Sequence, residues 1–216
     1  MTVNTLHFKS WPQDLPHTIE DLPKTLYESL ATTASKYPER KAVIFYETEM
    51  SYRSLFRQVN IIRSFLTRFN TVKPGDRIIL YMQNCPQFIV SFYGVLGANC
   101  VLVPVNPMLQ PDEIRNIILD SGAKFVIVAT ELLDNLLQAI SQNRFKDTMI
   151  LATNYSDSVS KKFNVKLPDE LVARFPELPR RNLYYWKDAL KTKVVESKHN
   201  RKLSDLSIIP YTSGTT

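Results

Sequence analysis

Apolar positions along this chain recur in two ways, at helical spacing and as short unbroken runs, and their alternation predicts the elements. Residues 25–37 put Leu26, Leu30 and Ala34 on one helical face, and Pro38 stops the run. A short strand over 42–46 and a turn leading to 50–52 follow. Over 53–69, Leu55, Val59, Ile62, Leu66 and Phe69 form a helical stripe, which predicts that Arg53, Arg57, Arg63 and Arg68 occupy a solvated face. Lys73-Pro74-Gly75-Asp76 reads as a turn. Beyond it the pattern predicts strand 77–82, helix 86–97, strand 100–105, helix 111–121, strand 124–129, helix 131–141 and strand 148–152. Pro86 and Pro111 open their helices without loss, because the first helical N–H has no partner, and Gly122 closes the second. Continuous apolar strands alternating with helices predict an α/β fold. Its sheet should be doubly wound and mainly parallel, with helices on both faces. Residues 153–203 are Pro-bearing and poorly periodic, so the expected organisation is an α/β subdomain over 1–152 and a connector with a final strand over 153–216.

Composition narrows the class. With 44% hydrophobic and 22% charged residues in 216, the chain is globular and long enough to bury a core without disulfides. Residues 78–111 carry no charge, yet Asn84, Pro86, Gln87, Gly94, Gly97, Asn99 and Pro104 break the run too often for a membrane-spanning helix. The two cysteines, Cys85 and Cys100, exclude a disulfide scaffold and a Cys-type zinc site. Their apolar surroundings predict buried free thiols in a reducing compartment. Three histidines (His7, His17, His199) have no metal-ligand spacing, so no metal site and no catalytic residue are assigned. No secretory signal pattern occurs in the first thirty residues, which makes the cytoplasm the expected location.

The net charge of +6 is local: residues 160–202 hold 12 basic residues against 5 acidic ones. No nucleic-acid-reading element accompanies the patch, so no nucleic-acid partner is expected. A solvated connector is preferred, with an anionic membrane surface or a phosphate-bearing substrate as the alternative.

Ligands of such sheets collect at the carboxyl ends of the strands. Here those ends are Gln83-Asn84-Cys85, Val105-Asn106-Pro107, Thr130 and the last residues of the chain. Asn84 and Asn106 are the polar candidates there, with capping of a helix or turn as the favoured role. The final apolar run, Leu206-Ser207-Ile208-Ile209-Pro210-Tyr211, opens into Thr212-Ser213-Gly214-Thr215-Thr216. A glycine among hydroxyls suits phosphate, because the backbone can turn its N–H groups inward while the side chains add donors. A P-loop also needs a lysine and a following helix, and neither is in the sequence. The expectation is therefore an amino-terminal piece of a longer protein.

Together these segments resemble the adenylate-forming superfamily, which includes acyl-CoA synthetases and peptide-synthetase adenylation domains. YTSGTT is similar to the opening of that family's phosphate-binding loop. The specific part is KPGDRIILYMQNCPQFIVSFYGVLGANCVLVPVNPMLQPDEIRNIILDSGAKFVIV (73–128), and the likeness runs from about Leu22 to Thr216. VPVNP with Asn106 is closer to fatty or aryl acid–CoA ligases. The resemblance implies attack of a carboxylate on the α-phosphorus of MgATP, then displacement of AMP from the acyl-adenylate by CoA. It implies ATP, Mg²⁺ and CoA as cofactors, a fatty acid as the small-molecule partner, and Thr212, Ser213, Gly214, Thr215 and Thr216 as the triphosphate cradle. The 216 residues alone are then expected to be inactive. An adenylation enzyme with another acceptor remains open, as does a non-catalytic module that docks on membranes through 160–202 or forms a homodimer.

Overall fold

The computed structural model describes residues 6–18, 23–160, 168–172, 181–196 and 198–212. After helix α1 (Leu26–Lys36), strands β1 (Lys41–Phe45) and β2 (Thr48–Ser51) pair antiparallel as a hairpin. Helix α2 (Tyr52–Thr67) leads to the central sheet. Its strands are β3 (Arg77–Tyr81), β4 (Val101–Val105), β5 (Phe125–Ala129), β6 (Met149–Thr153) and β7 (Leu183–Tyr185). Their order is β4-β3-β5-β6-β7, and every neighbouring pair is parallel. Helices α3 (Pro86–Gly97), α4 (Pro111–Ser121), α5 (Leu133–Ala139) and the single turn α6 (Trp186–Ala189) complete the α/β fold.

All residues of β5 and β6 are buried, as a sheet covered on both faces requires. Helices α1, α2 and α3 pack on one another, and α4 packs on α5. The doubly wound parallel arrangement expected from the pattern is therefore the one observed. Helices α3 and α4 have the predicted bounds, because their punctuation is chemical. Pro stands at the start of each, and Gly122 takes the left-handed conformation (φ 66°) that ends α4.

Three expectations change in detail. Tyr27, not Leu26, fills the buried face of α1, and Leu26 is exposed. Arg63 does not lie on a solvated face: it is buried beneath α1, where its Nη1 donates to Tyr27 Oη at 2.7 Å. Tyr27 Oη in turn donates to Asn60 Oδ1 at 2.7 Å. The guanidinium keeps hydrogen bonds while its stem packs, so it can occupy a position that helical periodicity assigns to water. Arg68 lies over the rings of Phe65, Phe69 and Tyr184, with 4.1 Å to the nearest centroid. Finally, helix 131–141 is shorter than predicted, a 3₁₀ turn over Thr130–Leu132 followed by α5.

The segment read as a partly irregular connection also holds sheet structure. β7 pairs with β6 through Leu183, Tyr184 and Tyr185, and Trp186 behind it is 1% exposed. Beside the opposite edge, Ile208 bridges Leu102 of β4 in parallel. Leu102 N–H donates to Ser207 O, and Ile209 N–H donates to Leu102 O, both at 2.9 Å. Among the described residues no helix is long and apolar enough to cross a membrane.

Candidate functional site

From β3 the chain moves outward to β4, then crosses back to β5 and continues to β6 and β7. Winding reverses between β3 and β5, and in open α/β sheets the crevice at such a reversal, beyond the carboxyl ends, is where ligands bind. A cavity of about 280 Å³ lies there. Gln83 and Asn84 reach it from the end of β3, Glu131 from the end of β5 and Tyr155 from the end of β6. Phe45 and Tyr46, at the tip of the β1–β2 hairpin, close it from above, and Pro168 and Leu171 flank it. Larger space, about 590 Å³ lined by Lys124, Arg144 and Asp147 among others, opens at the amino-terminal ends, where this reasoning places no ligand.

The cavity's polar groups are tied together. Tyr155 Oη donates to Glu131 Oε1 at 2.8 Å and accepts from Gln83 N–H at 2.8 Å. Burial pushes the Tyr155 phenol upward, so it stays a donor throughout the physiological range. Thr130 Oγ1 donates to Thr153 O at 2.9 Å and stitches the ends of β5 and β6. Below Asn84, the N-cap of α3 is Cys85, whose Sγ accepts from Phe88 N–H at 3.4 Å. Burial pushes the Cys85 and Cys100 thiols up to about 12, in keeping with the buried free thiols the sequence predicts.

Asn84 therefore caps nothing and stands exposed on the rim, whereas Asn106 Oδ1 accepts from Met108 N–H at 3.0 Å, the expected turn-capping role. Tyr81 Oη donates to Pro107 O and Leu109 O, each at 3.4 Å, and holds that same turn against β3. Glu131, Tyr155 and Tyr46 were not singled out from the sequence. The available signal was position, since Glu131 and Tyr155 each stand two residues past the end of a buried strand.

Just before the predicted phosphate loop, Ile208 lies beside β4 and runs parallel to it. Tyr211 Oη donates to Asp120 Oδ2 at 2.5 Å, which fixes it to the last turn of α4, and burial pushes its phenol up to about 12. Thr212 is exposed. Ser213, Gly214, Thr215 and Thr216 lie outside the described residues. Among the described residues no three His, Cys, Asp or Glu side chains come together to hold a metal ion.

The model of the AMP-binding enzyme family matches residues 30–216. The chain belongs to that family. Similar proteins include the long-chain-fatty-acid–CoA ligases of Bacillus subtilis (24% identical over 95% of this chain and 37% of the relative) and Yersinia pestis (26% over 96% and 38%). The chain thus spans well under half the length of these AMP-binding relatives. Among solved structures, an anthranilate CoA ligase superposes with a TM-score of 0.72 at 20% identity, over 91% of this chain and 34% of the other. The coronafacic acid ligase of Pectobacterium brasiliense gives 0.68 at 21% identity, over 86% and 33%. At such identities the likeness is one of fold. The adenylate-forming family expected from YTSGTT and the 73–128 block is the one found.

Proposed function

We propose that these 216 residues are part of an AMP-forming acid–CoA ligase that takes a fatty acid, with Thr212, Ser213, Gly214, Thr215 and Thr216 contributing to its triphosphate cradle. The observation that carries the reading is the bridge of Ile208 to Leu102 of β4, which sets the segment just before the Gly-and-hydroxyl run parallel to the edge of the sheet in a chain that matches the AMP-binding family. Two anions must meet in the reaction, and backbone N–H groups on a turning glycine, with threonine hydroxyls, favour the negative charge that builds on the phosphates. ATP, Mg²⁺ and CoA are the co-substrates and metal this reading requires, with Mg²⁺ neutralising phosphate charge when bound. The fatty-acid preference is supported by the curated relatives. Buried free thiols support a reducing, cytoplasmic setting.

Within the basic 160–202 stretch, Lys187 lies 3.0 Å from Asp157 and Lys191 lies 2.7 Å from Asp188, while Arg201 lies 3.5 Å from Asp205. Charges spent on local pairs favour the solvated connector over a docking patch. The test is made on the polypeptide extended past Thr216. Thr212→Val and Gly214→Val should each raise KM for ATP by about ten-fold or more, the cost of one to two lost phosphate contacts. Unchanged KM values in both variants would remove the loop from the phosphate site.

A further inference from the structure

The cavity at the β3–β5 switch point has a chemistry of its own, independent of the phosphate loop. Among the described residues that line it, the one charged side chain is Glu131, half-buried, with one carboxylate oxygen accepting from Tyr155 Oη at 2.8 Å. Among the described residues no Lys, Arg or His forms an ion pair with it. Withdrawing a carboxylate from water without a counter-charge is costly, so such a group marks a place for a cation.

The other walls agree. Phe45 and Tyr46 form an edge-to-face pair, ring centroids 4.8 Å apart, and Tyr155 adds a third ring. Aromatic faces carry negative potential and attract ammonium and guanidinium groups. The exposed amides of Gln83 and Asn84 supply acceptors at the rim. Tyr46 is kept at this wall at some conformational expense. It and Glu47 occupy the two-residue turn with φ of 44° and 60°, a conformation in which glycine or asparagine is preferred. The opening of α3 lends part of a positive charge nearby, but that effect fades within one turn, and an anion would have to meet the Glu131 carboxylate directly. At about 280 Å³ the space is smaller than the ~300 Å³ at which drug-sized sites begin, so it holds one head group.

We propose that this cavity is a binding site for a primary ammonium or guanidinium group, held by the Glu131 carboxylate against the rings of Phe45, Tyr46 and Tyr155. The cation comes either from a free small amine or from a Lys or Arg side chain of a longer polypeptide.

The test titrates n-butylammonium and n-butylguanidinium into the 216-residue chain, with n-butanol and butyrate as neutral and anionic controls, followed by amide chemical shifts. Both cations should saturate, perturbing residues 83, 131 and 155, and the controls should bind at least about ten-fold more weakly. Glu131→Gln, which keeps the volume and can still accept from Tyr155, should weaken the cations about ten-fold or more. Tyr46→Gly suits a φ of 44° and so keeps the fold while removing a ring; it should weaken them several-fold, and it decides the matter should Glu131→Gln fail to fold. The same titration on a polypeptide extended past Thr216 separates the sources. Saturation there as well assigns the site to a free amine, whereas loss of binding there assigns it to a side chain of the longer chain. Binding to neither polypeptide, equal binding of butanol, or unchanged affinity in the variants would overturn the proposal.

Discussion

Gly97 shows how little room separates α3 from α1. A Cβ at this position would stand 2.6 Å from Cε2 and 2.8 Å from Cδ2 of Tyr27, whose ring is pinned through its hydroxyl by Asn60 and Arg63. Gly97→Ala should therefore cost about 1–3 kcal/mol, read as a lower denaturant midpoint, and an unchanged midpoint would mean the ring yields freely. The buried thiols make a second prediction. Unfolded cysteines ionise near pH 9, while folded Cys85 and Cys100 hold their protons until about 12. Between those values the unfolded state binds fewer protons, so stability is fully present below pH 9 and falls as pH rises toward 12. Denaturation at pH 8 and pH 10.5 should show that loss, and Cys100→Ala should flatten the slope between the two. Alkylation of the folded chain at pH 8 should be slow for the same reason. Of these residue-scale features, the sequence revealed the burial of the cysteines, which lie in apolar runs. That Cys85, and not Asn84, is the cap follows from Pro86 at the first helical position, which makes residue 85 the N-cap; cysteine is simply an uncommon residue there. Arg63 misled because periodicity registers charge but not whether a tyrosine hydroxyl waits opposite.

Elements were legible wherever chemistry punctuates them. Proline at both helix starts and the left-handed Gly122 reproduce the bounds of α3 and α4, and the fully apolar runs mark β3 to β6. β7 escaped detection. It has only three residues, all half-buried, and its place in the sheet comes from pairing with β6, not from any period of its own. Its consequence can be measured. Trp186, the first residue of α6 behind β7, is as buried as the central strands, so Trp186→Ala should cost about 3–5 kcal/mol, comparable to truncating a core residue. A single urea transition shifted by that amount would show that 181–190 folds with the sheet. A midpoint left unchanged would show a loosely attached connector.

At the scale of the molecule, the order of the strands and the place of the cavity follow from topology. A parallel sheet whose winding reverses between β3 and β5 must gather polar side chains at that crevice, and Gln83, Asn84, Glu131 and Tyr155 are the residues it gathers. The general location was readable from strand–helix alternation alone. The residues were not, because Tyr46 at the hairpin tip that closes the cavity lies 35 residues before β3 ends at Tyr81, and no local pattern links Tyr46 to Glu131. The expected phosphate loop rests instead on its own composition, and of its five residues the structure describes Thr212, which is exposed. Since the chain spans 37% of the Bacillus subtilis ligase it resembles, catalysis is proposed for the longer polypeptide, with these residues as scaffold and part of the cradle.

The most direct test is ATP–pyrophosphate exchange with a panel of fatty and aromatic acids, run on the 216-residue chain and on the polypeptide extended past Thr216. The account predicts exchange that depends on a fatty acid in the extended polypeptide and none in the 216 residues alone. Silence from the extended polypeptide with every acid would contradict it, and would leave this chain sharing the family's fold without its chemistry.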